Sequence, residues 1–350
     1  MTISFVDFLN NLINTPNLFV ITILISTVMF MNGLSDAPNA IATCVSTRCL
    51  SPKKALILVA IFNFLGVLLM AFISTQVAET MIHIVKFGDN TSESLIALCG
   101  ALISIVLWSI ITWYYKIPSS QSHSLIAGIS GAAIALKGDV SGIDFNEWKK
   151  VLYGLFIVNI SAFVLGFLIT RLIEKICRKK DRRKTNKFFK KSQIFGAASM
   201  AFMHGAQDGQ KFIGIFLLGV ALSKGITEMN DFSIPIWLII YCSLLIAVGA
   251  GIGGVRIIKT VGTKVVKLER YQGTAVDISS AICLFGSSAL GIPASTSHSK
   301  SCAIMGVGAS KRLSNVNWKV AKNMILTWIF TFPGCGLLGF ILTKILINIF

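Results

Sequence analysis

Two aspartates lie where a membrane protein does not ordinarily keep a charge. Asp36 falls near the middle of the apolar segment 18–47, and Asp208 near the middle of the segment 193–222. An ionised carboxylate at the centre of a bilayer costs at least about 2.5–3.5 kcal/mol on insertion scales, so each acid requires compensation. The residues that flank them are Gly33, Ser35 and Pro38 in the first segment and Gly205, Gly209 and Gly214 in the second. They predict an unwound stretch around each acid, whose freed carbonyl oxygens could complete the shell of a cation.

Both acids belong to an internal repeat. GLSDAPNAI at 33–41 aligns with GAQDGQKFI at 205–213 and places one aspartate on the other. A second pair, IPSSQSHS at 117–124 and IPASTSHS at 292–299, aligns with almost the same offset along the chain. Two nearly equal offsets for two unrelated motifs predict that the halves of the chain are copies of one unit. Recurrence in both copies favours a functional role for the acids over a purely structural kink.

The second motif has the composition of an anion-binding helix end. In each copy a proline is followed by small polar residues and then by an apolar, glycine-rich segment. Proline in the first helical turn, with hydroxyl groups behind it, predicts a helix N-terminus whose free N–H groups and dipole attract an anion. The side chains that would add donors are Ser119, Ser120, Gln121, Ser122, Ser295, Thr296 and Ser297. Two such termini at the repeat interface predict a site for a tetrahedral oxyanion.

Four further polar residues near these motifs could carry chemistry. Lys211 occupies the position of Asn39 in the aligned repeat, within a turn of Asp208. Its ammonium could either neutralise that acid or meet substrate charge. Histidines in membrane segments are commonly hydrogen-bond partners between helices, and we expect that role here rather than a proton relay. These histidines are His123, His204 and His298.

The composition restricts the class of protein. Of the 350 residues 54% are hydrophobic and only 13% charged, with a mean hydropathy of +0.75, which is typical of an integral membrane protein. The net charge of +17 lies in short connections between apolar segments, so we expect no nucleic-acid binding. The eight cysteines form no CxxC pair, and we expect small core residues rather than a disulfide or metal framework.

About ten segments reach the roughly 20 apolar residues that a membrane crossing needs. They are 18–47, 55–77, 94–115, 117–137, 151–174, 193–222, 234–258, 274–290, 292–309 and 320–349. Ten basic residues and one acid in 175–191 predict a solvated cytoplasmic loop, which leaves both termini outside. The predicted fold is an all-α polytopic membrane protein with 10–12 membrane segments, some of them broken or re-entrant. Its two repeats, 1–174 and 192–350, have inverted topology.

These motifs resemble the signatures of the inorganic phosphate transporter family, also called PiT or PHO4. NGLSDAPNAIATCVSTRCLSP is similar to the first family signature and AFMHGAQDGQKFIG to the second, and the resemblance extends from about Val28 to Gly308. It implies symport of inorganic phosphate with Na+ or H+ in the cell membrane, commonly by a homodimer, with no cofactor besides the coupling ion. The family usually has Asn before each motif Asp, whereas this chain has Ser35 and Gln207, which leaves the coupling ion open.

The resemblance also implies a set of ligands. The cation ligands, including those for Na+ as a metal, fall on Asp36, Asn39 and Asp208. The phosphate ligands fall on Gln210, Lys211, Ser119 to Ser122 and Ser295 to Ser297. Phosphate would bind between the two helix ends once cations or protons neutralise the acids, and the repeats would exchange conformations around the site.

Three alternatives to phosphate symport remain open at this point. A sulfate permease of the same architecture is one, although sulfate has no proton to donate and so has no use for a carboxylate beside it. An intramembrane aspartyl protease would also need two membrane aspartates, but it would explain neither the inverted repeats nor the paired serine motifs. An ion channel would differ in being unable to accumulate its substrate against a gradient. A non-enzymatic transporter is the interpretation that accounts for most of the motifs.

Overall fold

The chain folds almost entirely into helices. The computed structural model describes residues 4–115, 119–227, 232–253 and 265–350. Its α-helices are α1 (Phe5–Asn14), α2 (Pro16–Ser35), α3 (Ala37–Ser46), α4 (Pro52–Ile73), α5 (Gln76–His83), α6 (Thr91–Tyr114), α7 (Gln121–Lys137), α8 (Phe145–Tyr153), α9 (Asn159–Cys177), α10 (Arg182–Ser223), α11 (Ile236–Ile252), α12 (Arg270–Ala289), α13 (Thr296–Lys311) and α14 (Trp318–Ile349). Within these ranges the only β-type contact is an isolated bridge between Val85 and Ile143. The predicted all-α class is confirmed.

The first aspartate lies at a break between two helices, as predicted. α2 and α3 meet at Asp36, and Pro38 stands in the first turn of α3, where its missing N–H is tolerated. The backbone N–H of Asp36 still donates to the carbonyl of Asn32 at 2.8 Å, and its carbonyl accepts from the N–H of Asn39 at 3.0 Å. The break is therefore confined to one residue.

The second aspartate lies inside an unbroken helix, so the predicted unwinding around Asp208 is wrong. α10 runs through it without interruption. The neighbouring glycines instead permit close packing: a Cβ on Gly205 would collide with the carbonyl oxygen of Asn63, and one on Gly214 would lie 2.6 Å from that of Ala78. Since no proline removes a backbone N–H here, the helix continues while its glycines admit the adjacent backbone.

The basic connection between the halves is largely helical, so the predicted loop over 175–191 is wrong outside residues 178–181. α9 extends to Cys177 and α10 begins at Arg182, leaving only 178–181 between them. The Asp181 carboxylate caps α10 by accepting the backbone N–H of Arg183 at 2.7 Å. Lysine and arginine favour the helix well enough to continue it once its N-terminus is capped.

The two serine motifs begin helices, as predicted. Ser120 caps α7 and Ser295 caps α13, each accepting the backbone N–H three residues further on, at 3.4 and 3.3 Å. The expectation of a proline in the first turn is wrong for the second copy, because Pro293 lies two residues before the cap. Its counterpart Pro118 lies outside the described residues.

Within the part of the chain that the structure describes, five helical segments are long and apolar enough to cross a membrane, namely Pro16–Ser46, Pro52–Ile73, Thr91–Tyr114, Phe145–Cys177 and Trp318–Ile349. Among the other predicted crossings, α10 is more polar and α7 and α13 are shorter, because much of their surface contacts protein. The end of the predicted crossing 234–258 lies outside the described residues. α7 and α13 bury nearly every residue, and their 17 and 16 residues extend about 25 Å at 1.5 Å per residue. That is less than the roughly 30 Å of a bilayer core. The chain is a multi-pass membrane protein.

Equivalent helices of the two repeats make equivalent contacts. α7 packs against α14 and α13 against α9, while α2 packs against α11 and α10 against α4. Equivalent glycines permit two of these contacts: a Cβ on Gly131 would collide with the carbonyl oxygen of Gly336, and one on Gly306 would collide with that of Phe163. Each repeat therefore packs its serine-motif helix against the last long helix of the other repeat.

This close packing predicts a large effect of one methyl group. Gly306→Ala is expected to destabilise the protein by about 1–3 kcal/mol or more, because the backbones of α13 and α9 would have to separate. Gly286→Ala is the matched control, since beyond the adjoining backbone of its own helix no described atom lies within 4 Å of its Cβ position, and a gain of about 0.5–1 kcal/mol is expected there. Thermal unfolding of both purified variants checks this, and equal Tm values would contradict it.

Candidate functional site

The N-termini of α7 and α13 meet end to end in the interior. The Ser295 hydroxyl donates to that of Ser120 across 2.8 Å, and both side chains are buried. These residues occupy equivalent positions in the two serine motifs. A contact between equivalent residues places the local symmetry axis at this point. The positive ends of two helix dipoles therefore converge at the centre of the repeat pair.

The Asp36 carboxylate faces one of these helix tips. Its Oδ2 accepts the backbone N–H of Gln121 at 3.1 Å, the first residue of α7. The side chain is only 2% exposed. Among the described residues no Lys, Arg or His nitrogen forms an ion pair with it. Asp36 is thus a buried acid without a resident counter-charge in that part of the chain.

Uncommitted oxygen atoms lie one turn beyond Asp36 and at the facing helix tip. The Asn39 amide nitrogen donates to Ser297 Oγ at 2.8 Å, which joins α3 to the tip of α13. The amide oxygen of Asn39 and the hydroxyl oxygen of Thr296 are buried, and neither has a described hydrogen-bond partner. Both oxygens are suitable ligands for a cation, and the Thr296 hydroxyl can also donate a hydrogen bond to an oxyanion.

The Asp208 carboxylate, in contrast, is fully engaged. Its Oδ1 accepts from the Lys211 ammonium at 2.8 Å and from the Ser122 hydroxyl at 3.1 Å. Its Oδ2 accepts from the Asn32 amide at 2.9 Å and lies 3.4 Å from His204 Nε2. The acid and the lysine are both 0% exposed. In this geometry Lys211 pairs with Asp208, which is the first of the two roles that the sequence left open.

Both acids and both helix tips therefore share one interior region. Asp36 contacts the tip of α7 through Gln121, and Asp208 contacts it through Ser122. The tip of α13 joins the same region through the Ser120–Ser295 contact. Together these contacts give a buried site with paired helix N-termini, hydroxyl groups and one acid that has no counter-charge among the residues described.

Several predicted phosphate ligands direct their side chains to other partners. Ser119 donates to Thr112 at 3.0 Å, and the Gln121 side-chain oxygen accepts from Ser109 at 2.7 Å. The amide nitrogen of Gln210 donates to the carbonyl of Ser74 at 2.6 Å. The contribution of Gln121 to the site is its backbone N–H rather than its amide.

Gln207 positions the segment before α13. Its amide nitrogen donates to the hydroxyls of Ser287 and Ser288, each at 2.9 Å, and its oxygen accepts the N–H of Ala294 at 3.3 Å. The Ser35 hydroxyl, at the equivalent place in the first repeat, donates to the Met31 carbonyl of its own helix at 2.7 Å. The two departures from the family signature thus have different structural roles.

Sequence reasoning missed a second buried ion pair. The Lys300 ammonium lies 2.7 Å from Asp277 Oδ1, and both side chains are 0% exposed. The same carboxylate oxygen accepts from the Thr43 hydroxyl at 2.8 Å, and Lys300 also donates to the Ala40 carbonyl. Both charged residues lie inside predicted apolar segments. The cost of burying an ionised group in a bilayer, which drew attention to Asp36, therefore applied to them as well.

The equivalent histidines pack as aromatic rings. The His123 and His298 ring centroids are 4.3 Å apart, and His298 stacks on Trp328 at 3.8 Å. His123 also lies 4.8 Å from the ring of Phe332. Their side chains thus fill the space between α7, α13 and α14. Neither ring nitrogen of His298 has a hydrogen-bond partner in the described part of the chain.

Five of the eight cysteines are buried, as predicted for small core residues, whereas Cys99, Cys177 and Cys283 are partly exposed. The structure describes all eight as free thiols. No group of three or more His, Cys, Asp or Glu side chains that could hold a metal ion occurs among the described residues.

An all-α multi-pass chain with inverted repeats, and with two acids and two helix N-termini buried where the repeats meet, belongs to the class of membrane transporters. The particular family follows from comparison with known proteins. The model of PHO4, the phosphate transporter family, matches residues 32–339, so the chain belongs to this family.

Curated relatives cover nearly the whole chain. The probable low-affinity inorganic phosphate transporter of Bacillus subtilis is 40% identical over 321 residues, which cover 92% of this chain and 94% of the relative. The protein of the same description from Rhizobium meliloti is 37% identical and covers 89% of this chain and 90% of its own length. A solved structure described as the sodium-dependent phosphate transporter matches with a TM-score of 0.85 at 21% identity. The match covers 96% of this chain and 100% of that one, and it supports the fold.

Proposed function

We propose that this protein imports inorganic phosphate together with a cation, H+ or Na+, by alternating access. One observation carries the proposal: Asp36, a buried acid without an ion-pair partner among the described residues, stands at a convergence of two helix N-termini. The helix tips attract an anion, whereas the acid repels one. The site therefore suits an anion and a cation that arrive together.

The coupling follows from this charge arrangement. Phosphate next to an ionised Asp36 would face a like charge in a site of low dielectric. A proton on the carboxylate, or a Na+ ion held by Asp36 and the amide oxygen of Asn39, removes that repulsion. Each ligand thus raises the affinity for the other, and this reciprocal effect is the thermodynamic basis of symport.

The paired repeats support the alternating-access part of the proposal. Equivalent residues touch at the site, and equivalent helices pack against exchanged partners. Two inverted copies can exchange conformations and so open the same site first to one side of the membrane and then to the other. We place the basic segment 175–191 in the cytoplasm and both termini outside, in the cell membrane, with the protein acting as a homodimer.

The geometry disfavours an aspartyl protease. Such an enzyme needs two carboxylates that share a proton and activate a water molecule. The Asp208 carboxylate instead accepts hydrogen bonds from Lys211, Ser122 and Asn32. An acid that is neutralised and saturated in this way is unsuited to proton sharing.

Uptake of labelled phosphate into proteoliposomes, with Na+ and pH gradients imposed separately, tests the proposal. We expect accumulation above equilibrium with one of the gradients and none without a gradient, and excess unlabelled sulfate is expected to leave uptake intact. Equilibration without accumulation would indicate a channel. Inhibition by sulfate, together with uptake of labelled sulfate, would indicate a sulfate permease.

A further inference from the structure

Lys211 has no hydrogen-bond donor left for an anion. Its ammonium donates to Asp208 Oδ1 and to Ser122 Oγ, each at 2.8 Å, and to the carbonyl oxygen of Ala294. A lysine ammonium carries three N–H bonds. All three are therefore used within the protein, by a side chain that is 0% exposed.

The acceptors around this ammonium are those that bind an alkali cation. They comprise one carboxylate, one hydroxyl and one backbone carbonyl from the segment that precedes a helix. Hard cations prefer oxygen ligands, and in transporters with inverted repeats Na+ is coordinated by carbonyls of non-helical segments. The ammonium supplies the same single positive charge at that position.

The first repeat makes the matching contact without the charge. Asn39 Nδ2 donates to Ser297 at 2.8 Å, just as Lys211 Nζ donates to Ser122 at 2.8 Å. The two donors are aligned in the repeats, and the two serines occupy equivalent positions of the serine motifs. Asn39 leaves its amide oxygen without a partner among the described residues and adds no charge. The contact in the first repeat therefore brings no charge from Asn39, whereas the equivalent contact in the second repeat brings the Lys211 ammonium.

We propose that the Lys211 ammonium permanently occupies the second of two symmetry-related cation sites, so that only the Asp36 site exchanges a cation during transport. This inference rests on the proposed symport function. It assigns Lys211 as the residue that determines how many cations accompany phosphate. The other role considered for Lys211, direct contact with phosphate, is a competing outcome of the test.

Cation-dependent thermal stability tests the proposal on purified protein. The Asp36→Asn variant serves as background because it removes the charge of the other cation site. In this background, Lys211→Ala is expected to lower Tm in choline chloride. Replacement of choline by Na+ or Li+ at equal ionic strength is expected to restore Tm, with a shift that grows with the logarithm of cation concentration. The background variant itself should show no such shift.

Two further variants make the stability result decisive. Adding Asp208→Asn to the Lys211→Ala protein removes the carboxylate ligand and is expected to abolish the cation-dependent shift. Lys211→Gln is a second neutral variant, whose amide can still donate to Asp208. The proposal is overturned if neither neutral variant gains a Na+- or Li+-dependent Tm, including the case in which neither folds in any of the three salts.

Transport in vesicles gives an independent measurement. The Lys211→Ala protein is expected to need one more cation than the wild type, so the Hill coefficient for the cation should rise from about 1 toward 2. Weakened phosphate affinity with an unaltered cation dependence would overturn the proposal in favour of direct phosphate contact. If the wild type imported no phosphate, the proposed function would fail, while the stability experiment would still decide the role of Lys211.

Discussion

Asp36→Asn is expected to reduce phosphate uptake to the background of protein-free vesicles while leaving folded protein in the membrane. Asparagine retains an oxygen that can accept the backbone N–H of Gln121, so the contact between Asp36 and α7 can persist. The substitution removes only the charge and the ability to bind a proton or cation. Because that charge couples the two ligands, transport is lost although the fold is kept.

Uptake per folded transporter, with folding judged by size-exclusion chromatography and Tm, measures this effect. Asp89→Asn is the matched control, because Asp89 is exposed in the connection between α5 and α6. It is expected to transport at the wild-type rate. Undiminished uptake by Asp36→Asn would remove the basis of the coupling mechanism.

Asp208→Asn should also abolish uptake, but for a different reason. The substitution leaves the Lys211 ammonium buried without its counter-charge. Breaking a buried ion pair in this way costs about 3–5 kcal/mol, so a lower Tm is expected together with the lost transport. The comparison of Tm between the two asparagine variants separates a charge that acts on ligands from one that balances a resident lysine.

Lys300→Met is expected to be the most destabilising single substitution outside the central site. It would leave the Asp277 carboxylate at 0% exposure without its partner, at a cost of about 3–5 kcal/mol. When the two repeats are aligned by their serine motifs, Leu102 corresponds to Asp277 and Leu125 to Lys300. Both leucines are fully buried. The first repeat thus has leucines where the second has an ion pair, so the fold accepts apolar residues at this place in one repeat.

The double variant Asp277→Leu/Lys300→Leu provides the matched comparison. Replacing a buried ion pair by apolar residues is commonly neutral or stabilising by about 1–4 kcal/mol, so Tm should return to the wild-type value or exceed it. Yield of monodisperse protein and Tm in detergent check both variants. A double variant as unstable as Lys300→Met would contradict the argument, since it would mean that packing rather than charge is limiting.

Much of the architecture was predictable because it depends on local sequence patterns. The repeats, the membrane class and the helix starts at Ser120 and Ser295 follow from spacing and residue type. The glycines that flank the two aspartates had two possible interpretations. An unwound stretch and a close contact between helices both favour a residue without a side chain. The glycines beside Asp208 proved to be of the second kind, and only the neighbouring helix could reveal it.

The sequence by itself determined that each repeat has one acid and one serine-rich helix end within an apolar segment, because lipid penalises such residues and the repeat pattern shows them twice. Only the tertiary structure decided that Asp208 holds a lysine while no described basic residue pairs with Asp36, and that Asp277 pairs with Lys300. The physical reason is that the role of a buried charged side chain depends on which groups surround it in space. For Lys211 these neighbours include Ser122 and Ala294, both of them distant along the chain.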